Sequence, residues 1–445
     1  MKLGFVPSQS DRRLSALQFT PDVRAAWLSA ILMLPQAVIL ATLAGVPPEM
    51  GVYASVFPVI VAALFGGSGK LLSGPNTTVC VMIAASLIPL ATPASAEYIS
   101  LVVVLSAMVG AIQLLAGLLR IGKLFQAIPE FIVQGVTAGV GLVIISSQLP
   151  AMLGVLAVPG EAPWLYLWHA AAALPRTNWL ALGVGVASVA AGLLFGRLKS
   201  QWLSPLIAAL LTGTLLAFGI DFFIGSGSMP LERVGHLSLQ MLPLSIPTLQ
   251  WEEFYIFKQL LISAVAIAFM STLQTVIIAR WISTLDKAPI RPNRELFAQG
   301  AANLVASFTG AFAGSGSFNR SAAHVNAGAE TRAAAVMSAI FLFVLVFAVE
   351  PLMAQLPTAA MAGTLLLIGW GLVRSAIRCH APTRSQRIAT WIVALGVLAV
   401  GLEAAVFWAS AFALGCFLWR IAEKRANLPG NTPMRRESDF RDFRD

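Results

Sequence analysis

The chain has 445 residues, 58% of them hydrophobic and only 11% charged, with a formal net charge of +9. Soluble domains carry about 25% charged residues, so this composition excludes a soluble protein with a single anchor. The apolar residues run in blocks of about 17–25, the length a helix needs to cross about 30 Å of hydrocarbon. Stretches such as LVVVLSAMVGAIQLLAGLL (101–119) show none of the alternation of a membrane β-barrel.

In chain order the sequence predicts a polar, basic N-terminal segment, 1–23, with no apolar h-region and hence no cleavable leader. Fourteen apolar segments follow, near 24–43, 48–66, 73–92, 97–118, 129–148, 179–196, 202–220, 257–279, 297–313, 317–329, 333–353, 359–377, 386–402 and 404–421. The fold class is an all-α polytopic membrane protein, and residues 24–421 form its transmembrane domain. A short charged tail, 422–445, is too small for a folded domain. Of the two long connections, 149–178 carries PGEAPWLYLWHAAAALP (159–175), whose Trp and Tyr residues suit the membrane surface.

Charge placement orients the chain. With a cytoplasmic N-terminus, the inside connections hold Lys70, Arg120, Lys123, Arg197, Lys199, Arg280, Lys287, Arg291, Arg294, Arg332, Arg378 and Arg384, while only Arg176, Arg233 and Lys258 fall outside. That bias needs an even number of spans and puts both termini in the cytoplasm. It also makes orientation, not nucleic-acid binding, the reading of the +9 charge. Cys80, Cys379 and Cys416 form no C-x-x-C pair, and His169, His236, His324 and His380 are dispersed, so neither a disulfide nor a metal site is expected. No nucleophile–base pair or Gly-rich nucleotide loop appears, and Glu130 and Glu350 read as interface charges. No enzyme activity and no cofactor are expected.

Seven plus seven spans suggest an inverted repeat, because an odd-numbered unit reverses direction in its second copy. The third segment of each half opens alike, with GSGKLLSGPNTTVCVMI (67–83) and GSGSFNRSAA (314–323). If both are half-helices, each exposes free N–H groups and roughly half a positive charge at its N-terminus, a ready anion site. Arg320 adds a full charge, with no acid within nine residues on either side. An intramembrane charge reads as functional by default; snorkelling to the surface or bonding to the carbonyls of broken helices is the structural alternative.

Four stretches carry a family resemblance. LPQAVILATLAGVPPEMGVYASVFPVIVAALFG (34–66), LSGPNTTV (72–79), NRELFAQGAANLVASFTG (293–310) and GSFNRSAAHVNAGAETR (316–332) resemble the SulP family of anion permeases. The resemblance implies a core domain, about 24–118 and 257–353, moving against a gate domain, about 129–220 and 359–421. It implies a small anion, such as sulfate, bicarbonate or chloride, bound by Gln36 and Leu40, by Asn76, Thr77 and Thr78, and by Ser317, Phe318, Asn319 and Arg320. For Asn76, Thr77 and Thr78, plain helix capping is an equal reading. The bilayer of the cell (inner) membrane is the expected surrounding, and the family is often dimeric, which leaves a homodimer open.

Two departures matter. Many members have a carboxylate in span eight for cation or proton coupling, and Gln274 stands at that position here. A neutral amide neither titrates near pH 7 nor charges a sodium site. The family also usually ends in a cytoplasmic STAS domain, which is expected to be absent. A nucleobase permease of the same architecture and a non-transporting anion sensor are the alternatives. The neutral Gln274 and Asn319 and the basic Arg320 favour an anion over a base.

Overall fold

The computed structural model describes residues 16–125, 130–155, 164–198, 205–224, 231–235, 239–241, 243–246, 254–287, 289–377 and 384–400. The fourteenth expected span, 404–421, and the tail lie outside the described residues. The first half holds α1 (Ala16–Leu43), α2 (Pro48–Phe65), α3 (Thr77–Leu87), α4 (Ala96–Leu118), α5 (Gly122–Phe125), α6 (Glu130–Met152), α7 (Leu165–Ala173), α8 (Trp179–Leu198) and α9 (Pro205–Ile224). The second holds α10 (Phe254–Asp286), α11 (Pro292–Phe308), α12 (Phe318–Asn326), α13 (Arg332–Met353), α14 (Thr358–Ile377) and α15 (Arg384–Val400). Among the described residues no strand forms, only an isolated bridge between Arg233 and Pro357.

Local chemistry sets several starts. Pro48 and Pro292 sit in the first turns of α2 and α11, where the missing N–H has no helical partner to lose. Ser95 caps α4 by accepting from Tyr98 N at 3.1 Å, and Thr331 caps α13 by accepting from Ala333 N at 3.1 Å. Eight of the described helices are long and apolar enough to cross a bilayer. The third span of each half is short: at about 1.5 Å per residue, α3 and α12 measure about 16 and 14 Å, half the hydrocarbon thickness. The first long connection contains α7.

The internal repeat is written in the packing. α3 packs on α10, and α12 on α1; α2 packs on α13, and α11 on α4. Likewise α1 meets α13 as α10 meets α4, α1 meets α2 as α10 meets α11, and α6 meets α15 as α14 meets α8. Exchanging each span for its counterpart seven places later turns one contact of each pair into the other. The contacts α2–α11 and α6–α14 map onto themselves, as contacts on a two-fold axis must.

Glycine brings the backbones close. A Cβ on Gly300 of α11 would stand 2.4 Å from Leu114 N of α4, and one on Gly110 of α4 would stand 2.5 Å from Leu304 N. Gly141 and Gly369 join α6 to α14 in the same way, facing each other's carbonyl oxygens at 2.6 and 2.9 Å. In lipid, where apolar side chains gain little by leaving the solvent, such close van der Waals contact is a main source of helix association.

Polar contacts tie the helices together at each end. At one end Lys70 Nζ pairs with Asp286 Oδ1 at 2.6 Å, Ser68 N donates to Glu295 Oε1 at 2.6 Å, and Arg294 Nε donates to Phe65 O at 3.0 Å. Asp22 accepts there from Glu330 N at 2.8 Å. At the other end Arg233 donates to Asp221 and Gln355, Thr358 N donates to Glu232 O at 2.9 Å, and Gln240 N donates to Tyr53 Oη at 2.6 Å.

Gly300→Ala places a methyl against fixed backbone and is expected to cost about 1–3 kcal/mol, lowering the melting temperature of the detergent-solubilised protein. Gly371→Ala on α14, where a Cβ would meet nothing within 4 Å, is expected to melt at or slightly above the parent temperature. Equal melting of the two variants would contradict the close α4–α11 contact.

Candidate functional site

The residues before α3 and α12 run extended and pair with each other. Ser315 N donates to Gly74 O at 3.0 Å, and Ser317 N donates to Leu72 O at 3.1 Å. The order is antiparallel, so the two helices start from a common crossing. Glycine is required at both sides of it. Gly74 has φ +123°, and a Cβ on Gly314 would lie 2.2 Å from Gly74 O.

Four helices supply the polar groups that hold the crossing. From α10, Ser271 Oγ donates to Gly314 O at 2.8 Å and Thr275 Oγ1 accepts from Gly316 N at 3.0 Å. Gln274, between them, donates from Nε2 to Thr78 Oγ1 at 2.8 Å and accepts at Oε1 from Ser315 Oγ at 3.1 Å. One amide therefore ties the start of α3 to the segment before α12. From α11, Asn303 Oδ1 accepts from Gly314 N at 2.9 Å, while Gln299 Nε2 donates to Gly314 O at 3.1 Å. Ser73 Oγ donates to Gln299 Oε1 at 2.9 Å, Asn303 Nδ2 donates to Gln113 Oε1 of α4 at 2.7 Å, and Ser321 Oγ of α12 accepts from Leu72 N at 3.0 Å.

The two helix starts differ. Asn76 caps α3 through Oδ1, which accepts from Thr78 N at 3.0 Å, and its Nδ2 donates to Gly316 O at 3.0 Å. Both ends of this side chain are thus used in structure. At α12 the N-cap is Ser317, extended at φ −118° and ψ 120°, and its hydroxyl caps no amide. That leaves the α12 N-terminus as the one whose first-turn N–H groups receive no oxygen from their N-cap side chain.

Arg320 lies in the first turn of α12 and is only 4% exposed. Its guanidinium donates from Nη2 to Pro75 O, across the crossing. Gly74 makes room for it: a Cβ there would stand 3.0 Å from Nη1. The structure therefore contains the carbonyl bond foreseen for a broken helix, and among the described residues no carboxylate pairs with the charge. A guanidinium carries five N–H donors, so one carbonyl leaves most of its capacity free.

The remaining predicted residues lie on α1 and at the starts of α3 and α12. α1 packs against both α3 and α12. It runs as helix through Pro35, and Gln36 on it is half-buried. Leu40 is 5% exposed within the main core. Thr77 is half-buried at the first position of α3, and Thr78 is buried and bonded to Gln274. Phe318 and Asn319 open α12, but their side chains lie outside the described residues. The sequence reading missed Gln113, Gln299 and Asn303, all buried. Their signal was present: amides in otherwise apolar spans, an expensive placement that needs partners.

What gathers here is a guanidinium and a helix start without a side-chain cap, beside the bonded pair Thr78 and Gln274. None of the residues named is acidic, and among the described residues no group of His, Cys, Asp or Glu could hold a metal ion. Such a set is suited to an oxyanion or halide and unsuited to a cation.

Comparison with known proteins agrees with this chemistry. The model of the sulfate permease family matches residues 19–394. A probable sulfate transporter of Mycobacterium tuberculosis is 30% identical over 420 residues, 93% of this chain and 72% of the relative. The bicarbonate transporter BicA of Picosynechococcus is 26% identical over 360 residues, 79% of this chain and 61% of that one. Among solved structures, the transmembrane domain of a cyanobacterial BicA aligns with TM-score 0.78 at 21% identity, covering 88% of this chain and 99% of that one. The murine Slc26a9 anion transporter in its inward-facing state aligns with TM-score 0.79 at 17% identity, covering 92% of this chain and 70% of that one. With the family model running through α1 to α15 and the same fold in both structures, the chain belongs to the sulfate permease family.

Proposed function

We propose that this chain is a secondary transporter that carries a small inorganic or carboxylate anion across the cell membrane by alternating access. The anion sits where α3 and α12 begin, contacted by the α12 N-terminus, Thr77 and Gln36, with Arg320 supplying the charge. Asn76, Thr78 and Gln274 act one step back and hold the two helix starts in register. The helices α1–α5 and α10–α13 move as a core against a gate built on α6, α8, α9, α14 and α15, with both termini in the cytoplasm. The observation that carries this reading is a guanidinium 4% exposed whose described partner is a single carbonyl, beside a helix start without a side-chain cap. An intramembrane charge with spare donors has a purpose when its counter-ion is the solute. The printed activities of the relatives, sulfate and bicarbonate transport, name the solutes to try first.

The test is uptake into proteoliposomes of labelled sulfate, bicarbonate, chloride and succinate, with and without proton and sodium gradients. Saturable uptake of at least one anion is expected. Arg320→Ala is expected to lower that uptake roughly ten- to hundredfold, the loss of one charge-assisted bond to the anion. Parent-like uptake by Arg320→Ala would remove the site proposed here.

Gln274→Glu preserves the shape of the side chain but can donate to Thr78 Oγ1 only when protonated. Its uptake is expected to fall as pH rises from 5 to 8, more steeply than that of the parent protein. A profile unchanged by the substitution would show that Gln274 does not control the register of the two helix starts.

A further inference from the structure

His324 is used by nothing described so far. It lies on α12, four residues and hence one turn beyond Arg320, and it is fully buried. Its Nδ1 stands 2.7 Å from Ser29 Oγ of α1, and its Nε2 has no hydrogen-bond partner among the described residues. In either tautomer a buried imidazole nitrogen is left over, as an unsatisfied acceptor or an unsatisfied donor. Such a group normally reports a missing partner.

The surroundings bear on the charge of the ring. His324 sits in the last turn of α12, where the helix dipole favours a cation. On α1, two turns before Ser29, the buried Asp22 carboxylate acts on the ring and also accepts from Glu330 N, Thr331 N and Thr331 Oγ1. Against protonation stand burial and the charge of Arg320. Cys80 of α3 lies beyond Arg320, close enough for its charge to act on the thiol. Glu330 and Arg24 are exposed, and Arg332 is half-buried at the start of α13. The balance is therefore between one buried carboxylate plus a helix C-terminus and one guanidinium plus desolvation. An anion at the α12 N-terminus offsets the guanidinium and tips it.

We propose that His324 is a protonation site linked to the anion site at the other end of the same helix, so that a proton and the anion move together. The linkage rests on the anion site proposed above. It places at α12 the titratable group that Gln274 cannot be at α10. The reaction is simple: the nitrogen lone pair takes one proton, giving an imidazolium that donates from both nitrogens, and releases the same proton when the anion leaves. With roughly 12 Å between charges at an effective dielectric constant of about 20, anion binding raises the proton affinity of the ring about tenfold, and protonation raises anion affinity by the same factor.

Two measurements test this. The chain has four histidines, so ¹⁵N-histidine spectra of parent protein and His324→Asn in nanodiscs identify the His324 ring by difference. His324→Gln serves if the Asn variant does not fold. The ring is expected to take up a proton as pH is lowered from 8.5 to 4, with its midpoint raised by about one pH unit in saturating sulfate, bicarbonate or chloride. A ring that stays neutral across this range, or a midpoint that none of these anions moves, overturns the proposal. In proteoliposomes, anion uptake by the parent protein is expected to rise several-fold under an inward proton gradient, and uptake by His324→Asn to be independent of that gradient. Stimulation that persists in the variant also overturns it. Absence of any uptake by the parent would defeat the transport reading instead, and the spectra would still decide whether His324 binds a proton.

Discussion

An amide in hydrocarbon has only protein to bond to. The stretches before α3 and α12 are where this chain abandons the helix that usually meets the demand, and the rest of the core follows from how it is met. The two stretches satisfy each other, Ser315 N to Gly74 O and Ser317 N to Leu72 O. What they leave over is taken up by side chains. Gly314 is bonded at N by Asn303 and at O by Ser271 and Gln299, and Gly316 N goes to Thr275. Polar residues in α4, α10 and α11 are thus the support of a backbone crossing, and glycines 74 and 314 are what permit the approach. The small-residue character of both stretches has its cause in this contact.

The residues around the crossing differ in how much of their hydrogen-bonding capacity the crossing uses. Asn76, Gln274, Thr275 and Asn303 spend their hydrogen-bonding capacity inward. Arg320 and the α12 N-terminus keep theirs. The difference between Asn76 at one helix start and Ser317 at the other shows the division at its clearest. The first caps its helix and the second does not, so the positive end of α12 is less neutralised than that of α3.

Much of the fold was legible because each span had to be apolar for its full length. Segment 48–66 became Pro48–Phe65, 97–118 became Ala96–Leu118, and 333–353 became Arg332–Met353. Departures came where hydrophobicity stops being the deciding term. α10 continues to Asp286, well past the apolar stretch, because Lys70 holds its polar end. α11 stops at Phe308, where the backbone turns through Gly310 at φ +57° into the crossing. Within the site, the pairing of GSGKLLSGPN with GSGSFNRS and the presence of Arg320 beside it could be read from composition. That Asn76 Nδ2 reaches Gly316 O, that Pro75 O receives Arg320, and that Gln113 meets Asn303 could not. These are contacts between residues tens to hundreds of positions apart, and no local pattern encodes their partners.

Gln274 stitches the beginning of one half of the molecule's central cradle to the beginning of the other. Prising the halves apart would strand two amide contacts and a pair of backbone bonds in oil. The cradle is consequently held as one piece by contacts that nothing in hydrocarbon would replace.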